Sequence, residues 1–375
     1  MRTNDPMPRL EPIRGAASTA TSRFSPLVCL ALTLATGCSP ADPPNGTARC
    51  RGDHDCHWAS VPFCRCDGLC WSSVGEQPDA GVDAGPPPTQ TFVVAALRSE
   101  ALVGDAEAAF GIDLDMRVDG TAGSCTDQDD YVSPITMDRG IDNIFAYYVV
   151  PLLDGITGGD GWDGEVAHAL EDGSHALVLE VTAVPGDACA RRVHAWTARA
   201  MDAAVPSATC ASTTDDTTCD DLDRAACQWH PATGTCAGIA AGQTWLAVVD
   251  LGEVDATLVA GRLRTTAFPR IPIVPELAPP VGAAPIDLHG VIFEADLHDD
   301  ALSRGELGGA IHVSDAIDWF NTNIVALTGW SRTDPATFTA VVPPDLAPSA
   351  DGHSCADFSA GFGFTAIAAT LVHAP

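Results

Sequence analysis

Carboxylates spaced to gather around a cation are the densest chemical feature of this sequence. The run Gly111-Ile112-Asp113-Leu114-Asp115-Met116-Arg117-Val118-Asp119-Gly120 repeats acids at short intervals, and Gly140-Ile141-Asp142-Asn143 follows it. Calcium takes roughly six to eight oxygen ligands, and carboxylates at i and i+2 before a turn glycine supply them. The expectation is a calcium site drawing on Asp113, Asp115, Asp119, Asp142 and Asn143. It is not an EF-hand, because the third acid comes late and Ala122 stands where that loop needs its glutamate. The competing reading puts Asp113 and Asp115 on one face of a strand, with Asp119-Gly120 as a hairpin turn. A second acidic, glycine-rich stretch runs from Asp154 to Glu165 and carries Trp162. That indole suits stacking on a sugar ring, and half-buried packing is its plainer alternative.

Upstream, Arg2, Arg9, Arg14 and Arg23 precede an apolar run from Phe24 to Ala35, which leads into Thr36-Gly37-Cys38. A positive n-region, a short apolar h-region and a small-residue cleavage site make a secretory signal. With cysteine at the first mature position, residues 1–37 resemble a bacterial lipoprotein signal peptide. The resemblance implies cleavage before Cys38, a thioether-linked diacylglycerol and an acylated amino terminus, each buried CH2 contributing roughly 0.8 kcal/mol. Ala35 occupies the −3 position where that family usually has Leu, and Met7 is an alternative start. The apolar run is shorter than the ~20 residues of a membrane span, so the expected membrane contact is lipid. Ser39 in place of Asp after the cysteine favours the outer membrane over the inner. An ordinary secretory signal cut nearby is the competing reading.

Net charge is −31, and loss of residues 1–37, with four Arg and two acids, leaves −33. There is no lysine; every basic side chain other than histidine is Arg. Such a chain repels phosphate backbones and offers no basic stripe, so nucleic acid is excluded as an expected partner. Neutral glycans, cationic surfaces or calcium fit better. The sequence holds 14 Cys. With Cys29 in the signal and Cys38 lipidated, an even set of twelve remains, which in an exported chain reads as disulfides. Cys210, Cys219, Cys227 and Cys236 can close on themselves; zinc with His230 is the rival there, although the paired C-x2-C spacing is missing. Cys50, Cys56, Cys64, Cys66 and Cys70 are odd in number and need a partner among Cys125, Cys189 and Cys355. Cys125 with Cys355 is the preferred pairing in the main domain, and the full connectivity stays open.

Organisation follows from these markers. Residues 38–49 form a polar tether, 50–70 a small disulfide knot, and 71–91 a linker with tandem Asp-Ala-Gly units and three prolines. From residue 92 to 375 apolar alternation dominates, with a cysteine-stapled insertion at about 208–238. Strands are expected at Phe92–Leu97, His175–Val181, Trp245–Asp250, Ala256–Leu263, Ile286–Ala295 and Phe358–Ala366, the last with three Phe on one face. Its glycines suggest close approach of a strand or ligand. Helices are expected at Ile141–Leu153 and at Ser314–Phe320, with Ser314 as N-cap. The fold class expected is mainly β: a β-sandwich or jelly-roll-like domain with two short helices, preceded by the disulfide-rich module.

No nucleophile elbow, H-E-x-x-H or P-loop is present, so no catalytic residue is nominated. The strings Gly111–Asp115, Cys125-x-Asp127, Gly140–Asn143, Leu307-Gly308-Gly309-Ala310-Ile311 and Cys355–Thr365 resemble a pattern in uncharacterised secreted lipoproteins of myxobacteria and related deltaproteobacteria. The resemblance implies export and a β-rich domain and brings no activity with it. The expected function is therefore a membrane-anchored, extracytoplasmic, non-catalytic binding or adhesion domain for a glycan or cell-surface partner, with calcium as a stabiliser. The alternatives are a secreted carbohydrate-active hydrolase using an acidic pair and a structural envelope protein.

Overall fold

A computed structural model describes residues 63–64, 70–71, 88–99, 108–114, 131–151, 173, 176–201, 227–230, 235–239, 241–273, 286–325, 331–348 and 355–373. All of them belong to the unit spanning residues 43–375. The signal segment, the tether and almost all of the knot and linker lie outside the described residues.

The architecture is mainly β. The principal strands are β1 (Thr89–Arg98), β2 (Ala176–Ala183), β3 (Ala190–Ala200), β4 (Thr244–Val259), β5 (Arg262–Thr265), β6 (Phe268–Ile273), β7 (Ile286–Leu297), β8 (Ala301–His312), β9 (Cys355–Ala368) and β10 (Thr370–Val372). Together with Leu346–Pro348, which pairs with β9, they make one 11-stranded sheet in the order β5-β4-β3-β2-β1-β9-β8-β7-β6. Strand β5 also pairs with β7, so the path across neighbours returns to its start. The sheet is mixed, because β10 lies parallel to β4 while the other pairings are antiparallel. Most neighbours in space are also neighbours in sequence. That differs from the sandwich or jelly-roll expectation, which needs Greek-key crossings between two sheets. Closure through β5 and β10 leaves few free edges, and Pro269 and Pro272 blunt β6.

Alternation sets the core. Phe358, Ala360, Phe362, Phe364 and Ala366 are all buried on one face of β9, as the period-2 pattern predicts. Rings continue across the sheet from Phe364 to Phe293 and from Phe293 to Phe268, edge to face at 5.7 and 5.6 Å. Burying each such ring stabilises the fold by about 2–3 kcal/mol. Gly305 makes room for this stack, since a Cβ there would lie 2.6 Å from the Phe364 ring.

Two local expectations change. Trp245–Asp250 and Ala256–Leu263, expected as separate strands flanking a turn at Gly252-Glu253, do not part there: Gly252 is a bulge inside the single long strand β4. The chain reverses later, at Ala260-Gly261, where both residues have positive φ (51° and 83°) and Val259 faces Arg262. That two-residue geometry matches the right-handed twist of the flanking strands. Ser314 is not an N-cap either. Helix α1 (Val313–Trp319) begins after His312, without a side-chain cap, and runs on as a π-helical turn over Phe320–Ile324. The other expected helix is helical from Ile144 to Pro151, with a π-helical turn at Phe145–Val149, and Leu152 and Leu153 lie outside the described residues. A short helix α2 (Pro335–Thr339), capped by Asp334, has no counterpart among the expected elements.

Candidate functional site

On the face of β8 and β9 opposite the phenylalanines lie Gly308, Gly361 and Gly363. The chain's own residues 108–114 and 131–143 cover this glycine pavement as a strap. A Cβ on Gly361 would sit 2.4 Å from the Phe110 carbonyl oxygen and 2.6 Å from Gly111 Cα; one on Gly363 would enter the Phe110 ring at 2.8 Å. Ile112 rests on Gly308 at 3.1 Å by the same measure. The close approach read from the glycines is thus made by backbone of this same chain.

Asn143 pins the strap. Its Nδ2 donates to the carbonyls of Phe110 (2.7 Å) and Gly361 (3.0 Å), and its Oδ1 accepts from the amides of Ala146 (3.0 Å) and Gly361 (3.1 Å). It closes the edge of β9 where strand pairing with β1 has ended, and it caps the helical turn that follows. Beside it, Asp142 accepts from the Leu114 amide at 2.8 Å. The Ile144 amide donates to Ser359 Oγ at 2.8 Å, and Ser359 in turn binds Asp345 through its own amide (2.7 Å) and hydroxyl.

These facts redraw the calcium expectation. Gly111–Leu114 and Gly140–Asn143 do come together, so the twin Gly-Ile-Asp strings are partners in space. However, both acceptor positions of Asn143 Oδ1 are taken by amides, which removes it from the expected ligand set. Asp142 serves as an amide acceptor, and Asp113 is half-buried with interactions of its own. Asp115 and Asp119 lie outside the described residues, as does Trp162. Among the described residues no group of three or more His, Cys, Asp or Glu is arranged to hold a metal ion.

Under the strap sits a residue the sequence reading passed over. Glu306 on β8 is 2% exposed. Its Oε1 accepts from the Ser133 hydroxyl at 2.7 Å and, at 3.5 Å, from the Gly111 amide, both on the strap. Its nearest cation, Arg262, stands 3.7 Å away and is shared with Glu294 (3.3 Å) and Asp296 (3.2 Å). Arg264 pairs with Glu294, and Arg304 reaches both Asp296 (3.8 Å) and the strap carbonyl of Ile135 (2.8 Å). Register explains the gathering, because Glu294 faces Glu306 across β7–β8 while Arg262 faces Asp296 across β5–β7. Burial pushes the Glu306 carboxyl up to about 7, against the opposing pull of Ser133, Arg262 and Gly111; Glu294 adds to the rise. The signal available in the sequence was an acid inside Arg304-Gly305-Glu306-Leu307-Gly308-Gly309, a strand too glycine-rich to have been picked out.

Elsewhere on the sheet, Trp196 lies between His194, stacked at 4.3 Å, and His373, edge-on at 4.7 Å. Its indole N–H donates to Glu180 at 2.9 Å, and His194 Nε2 is 2.7 Å from Asp250. His289 and His312 stack at 4.1 Å, with Asp315 and Asp357 as their acidic neighbours.

Of the candidate cysteines, Cys64 faces Cys70 in a two-stranded ladder, and Cys227 and Cys236 lie on the two strands of a hairpin. Cys189 and Cys355 are disulfide-bonded. Cys189 is at the β2–β3 turn beside Thr89, and Cys355 is at the far end of the 14-residue β9, so they are not bonded to each other. Cys38, Cys50, Cys56, Cys66, Cys125, Cys210 and Cys219 lie outside the described residues. Among the described residues no helix is long and apolar enough to cross a membrane. Compared with known proteins, the chain matches no protein-family model, no curated protein and no solved structure.

Proposed function

We propose that this chain is a lipid-anchored extracytoplasmic binding protein: Cys38 carries the anchor, the tether and knot hold the β domain away from the membrane, and the domain binds without catalysis. Outer-membrane placement and a glycan or cell-surface partner are part of this reading. The observation that supports the non-catalytic half is the strap over Glu306. A general acid or base must reach its substrate within hydrogen-bond distance, whereas this carboxyl is spent on Ser133 and Gly111 of its own chain. The half-buried Trp196, rimmed by Glu180 and Asp250, offers an aromatic edge and acceptors suited to sugar hydroxyls.

Anchoring is tested by growing expressing cells with radiolabelled palmitate. Label on the wild-type chain and none on Cys38→Ser supports the anchor, and equal absence from both removes it. Binding is tested by retention on cell-wall polysaccharide, which Trp196→Ala should weaken at least tenfold without lowering the melting temperature.

The hydrolase alternative draws on one feature, an acid raised towards neutrality beside Glu294 and Asp296. Carboxylates held at different protonation states are what glycoside hydrolysis requires. Polysaccharide hydrolysis by the wild type that disappears in Glu306→Gln would replace the binding reading.

A further inference from the structure

We propose that the strap is a pH-operated clasp, seated on β8 and β9 in mildly acidic surroundings and loosened as the medium turns alkaline. The argument starts from geometry. The strap is tied to β8 at two places: Ser133 and Gly111 meet Glu306, and the Ile135 carbonyl meets Arg304. The first tie depends on a carboxyl with almost no water access. A buried carboxylate is tolerated when a cation and several donors compensate it. Here the single close donor is a hydroxyl, and the Arg262 nitrogen that faces it, Nη2, stands at 3.7 Å, beyond hydrogen-bond reach, while Nε and Nη1 serve Glu294 and Asp296.

What opposes ionisation of Glu306 is its loss of water beneath the strap, because the charges and donors around it on balance favour the charged form. From β1 comes Arg98, buried, with interactions of its own and aligned with Glu306 through Gly363; from β5 come Arg262 and Arg264, from β7 Glu294 and Asp296, from β8 itself Arg304, and the strap contributes the Ser133 hydroxyl and the Gly111 amide. Arg264 is taken by Glu294 and Arg262 is shared with Glu294 and Asp296, and the cost of burial outweighs the help that remains. The carboxyl accordingly stays protonated up to about pH 7. In that state it is a neutral, satisfied part of the interface. Once ionised, it gains free energy by admitting water, and water reaches it by lifting the strap. A third attachment, to β9 through Asn143 and Gly361, carries no titrating group and holds the far side. Release is thus confined to the part of the strap around Gly111 and Ser133–Ile135.

The test is hydrogen–deuterium exchange on the full mature chain at pH 5.5, 6.5, 7.5 and 8.5, with rates corrected for intrinsic exchange. Peptides covering 108–114 and 131–136 should lose protection at least tenfold between the lowest and highest pH. The β2–β3 hairpin, residues 176–200, should keep its protection. In Glu306→Gln, which fixes a neutral side chain of the same shape, strap protection should be flat across the series. Constant strap protection in the wild type overturns the clasp, and so does a wild-type pH dependence surviving in Glu306→Gln. Should that variant not fold, carboxyl carbon NMR of the wild type decides the matter. One glutamate titrating near neutrality and shifting in Ser133→Ala supports the clasp; all glutamates titrating in the ordinary acid range overturn it.

Discussion

Glu306 and Asp250 stand on strands of one sheet and both lie beside basic side chains, yet their carboxyls move in opposite directions. Asp250 is held below the usual carboxylate value by its hydrogen bond with His194 and by the Gly252 amide. Glu306 has comparable helpers in Ser133, Arg262 and Gly111, and still rises. Water makes the difference. Asp250 keeps most of its hydration, so each favourable contact counts in full, whereas Glu306 has given its hydration up to the strap and the contacts do not restore it. A polar cluster on a β-surface thus stays hydrated and ionised or becomes a desolvated acid with a raised pKa according to whether another segment of chain lies over it.

The largest effect should come from denying the strap its seat. Gly361→Ala places a Cβ against backbone atoms that cannot turn aside, and should cost about 3 kcal/mol in urea unfolding or prevent folding. Gly252→Ala meets nothing within 4 Å and carries only the strain of a φ of +98°, so about 1 kcal/mol is expected. Asn143→Ala should come close to Gly361→Ala, because it leaves several buried amides and carbonyls without partners at once, at about 1–3 kcal/mol each before relaxation. A milder loss for Asn143→Ala than for Gly252→Ala would break the comparison between the covered and open sides.

Next in size is the pH dependence of stability. The folded Glu306 carboxyl lies near 7, above its ordinary 4.5. The folded state therefore binds the extra proton, and this contribution is complete below pH 4.5. It shrinks as pH rises and is gone above about 7. At roughly 1.36 kcal/mol per unit, the wild type should lose ~3 kcal/mol across that window relative to Glu306→Gln. Urea titrations of both proteins at pH 4.5 and 8 measure it, and parallel pH curves would place the neutral acid elsewhere. The smallest effect belongs to the open side. Removing the half-buried imidazole that pairs with exposed Asp250, by His194→Ala, should change stability by less than about 1 kcal/mol, decline in high salt, and leave strap exchange untouched.

Much of the framework was legible from residue order. The β class, the strand that sets Phe358, Phe362 and Phe364 on one face, and the close approach at that strand's glycines can all be traced to periodicity and composition. The turn at Ala260-Gly261 was misread because Gly252 looks like the better punctuation. A bulge and a turn both favour glycine, and the strand register decides between them. The run from Asp113 to Asn143 suggested a cation because carboxylates are counted along a chain, whereas Asp142 accepts from the Leu114 amide and Asn143 binds the backbone of Phe110, Ala146 and Gly361, up to 218 residues away.

By itself the sequence determined the acidic, lysine-free character of this chain, its β texture and its cysteine inventory, since these depend on composition and on local period. Only the tertiary structure decided that Asn143 is a joint and that Glu306 is an acid poised near neutrality. Both properties come from desolvation and from contacts between segments far apart in sequence, and neither has a local signature.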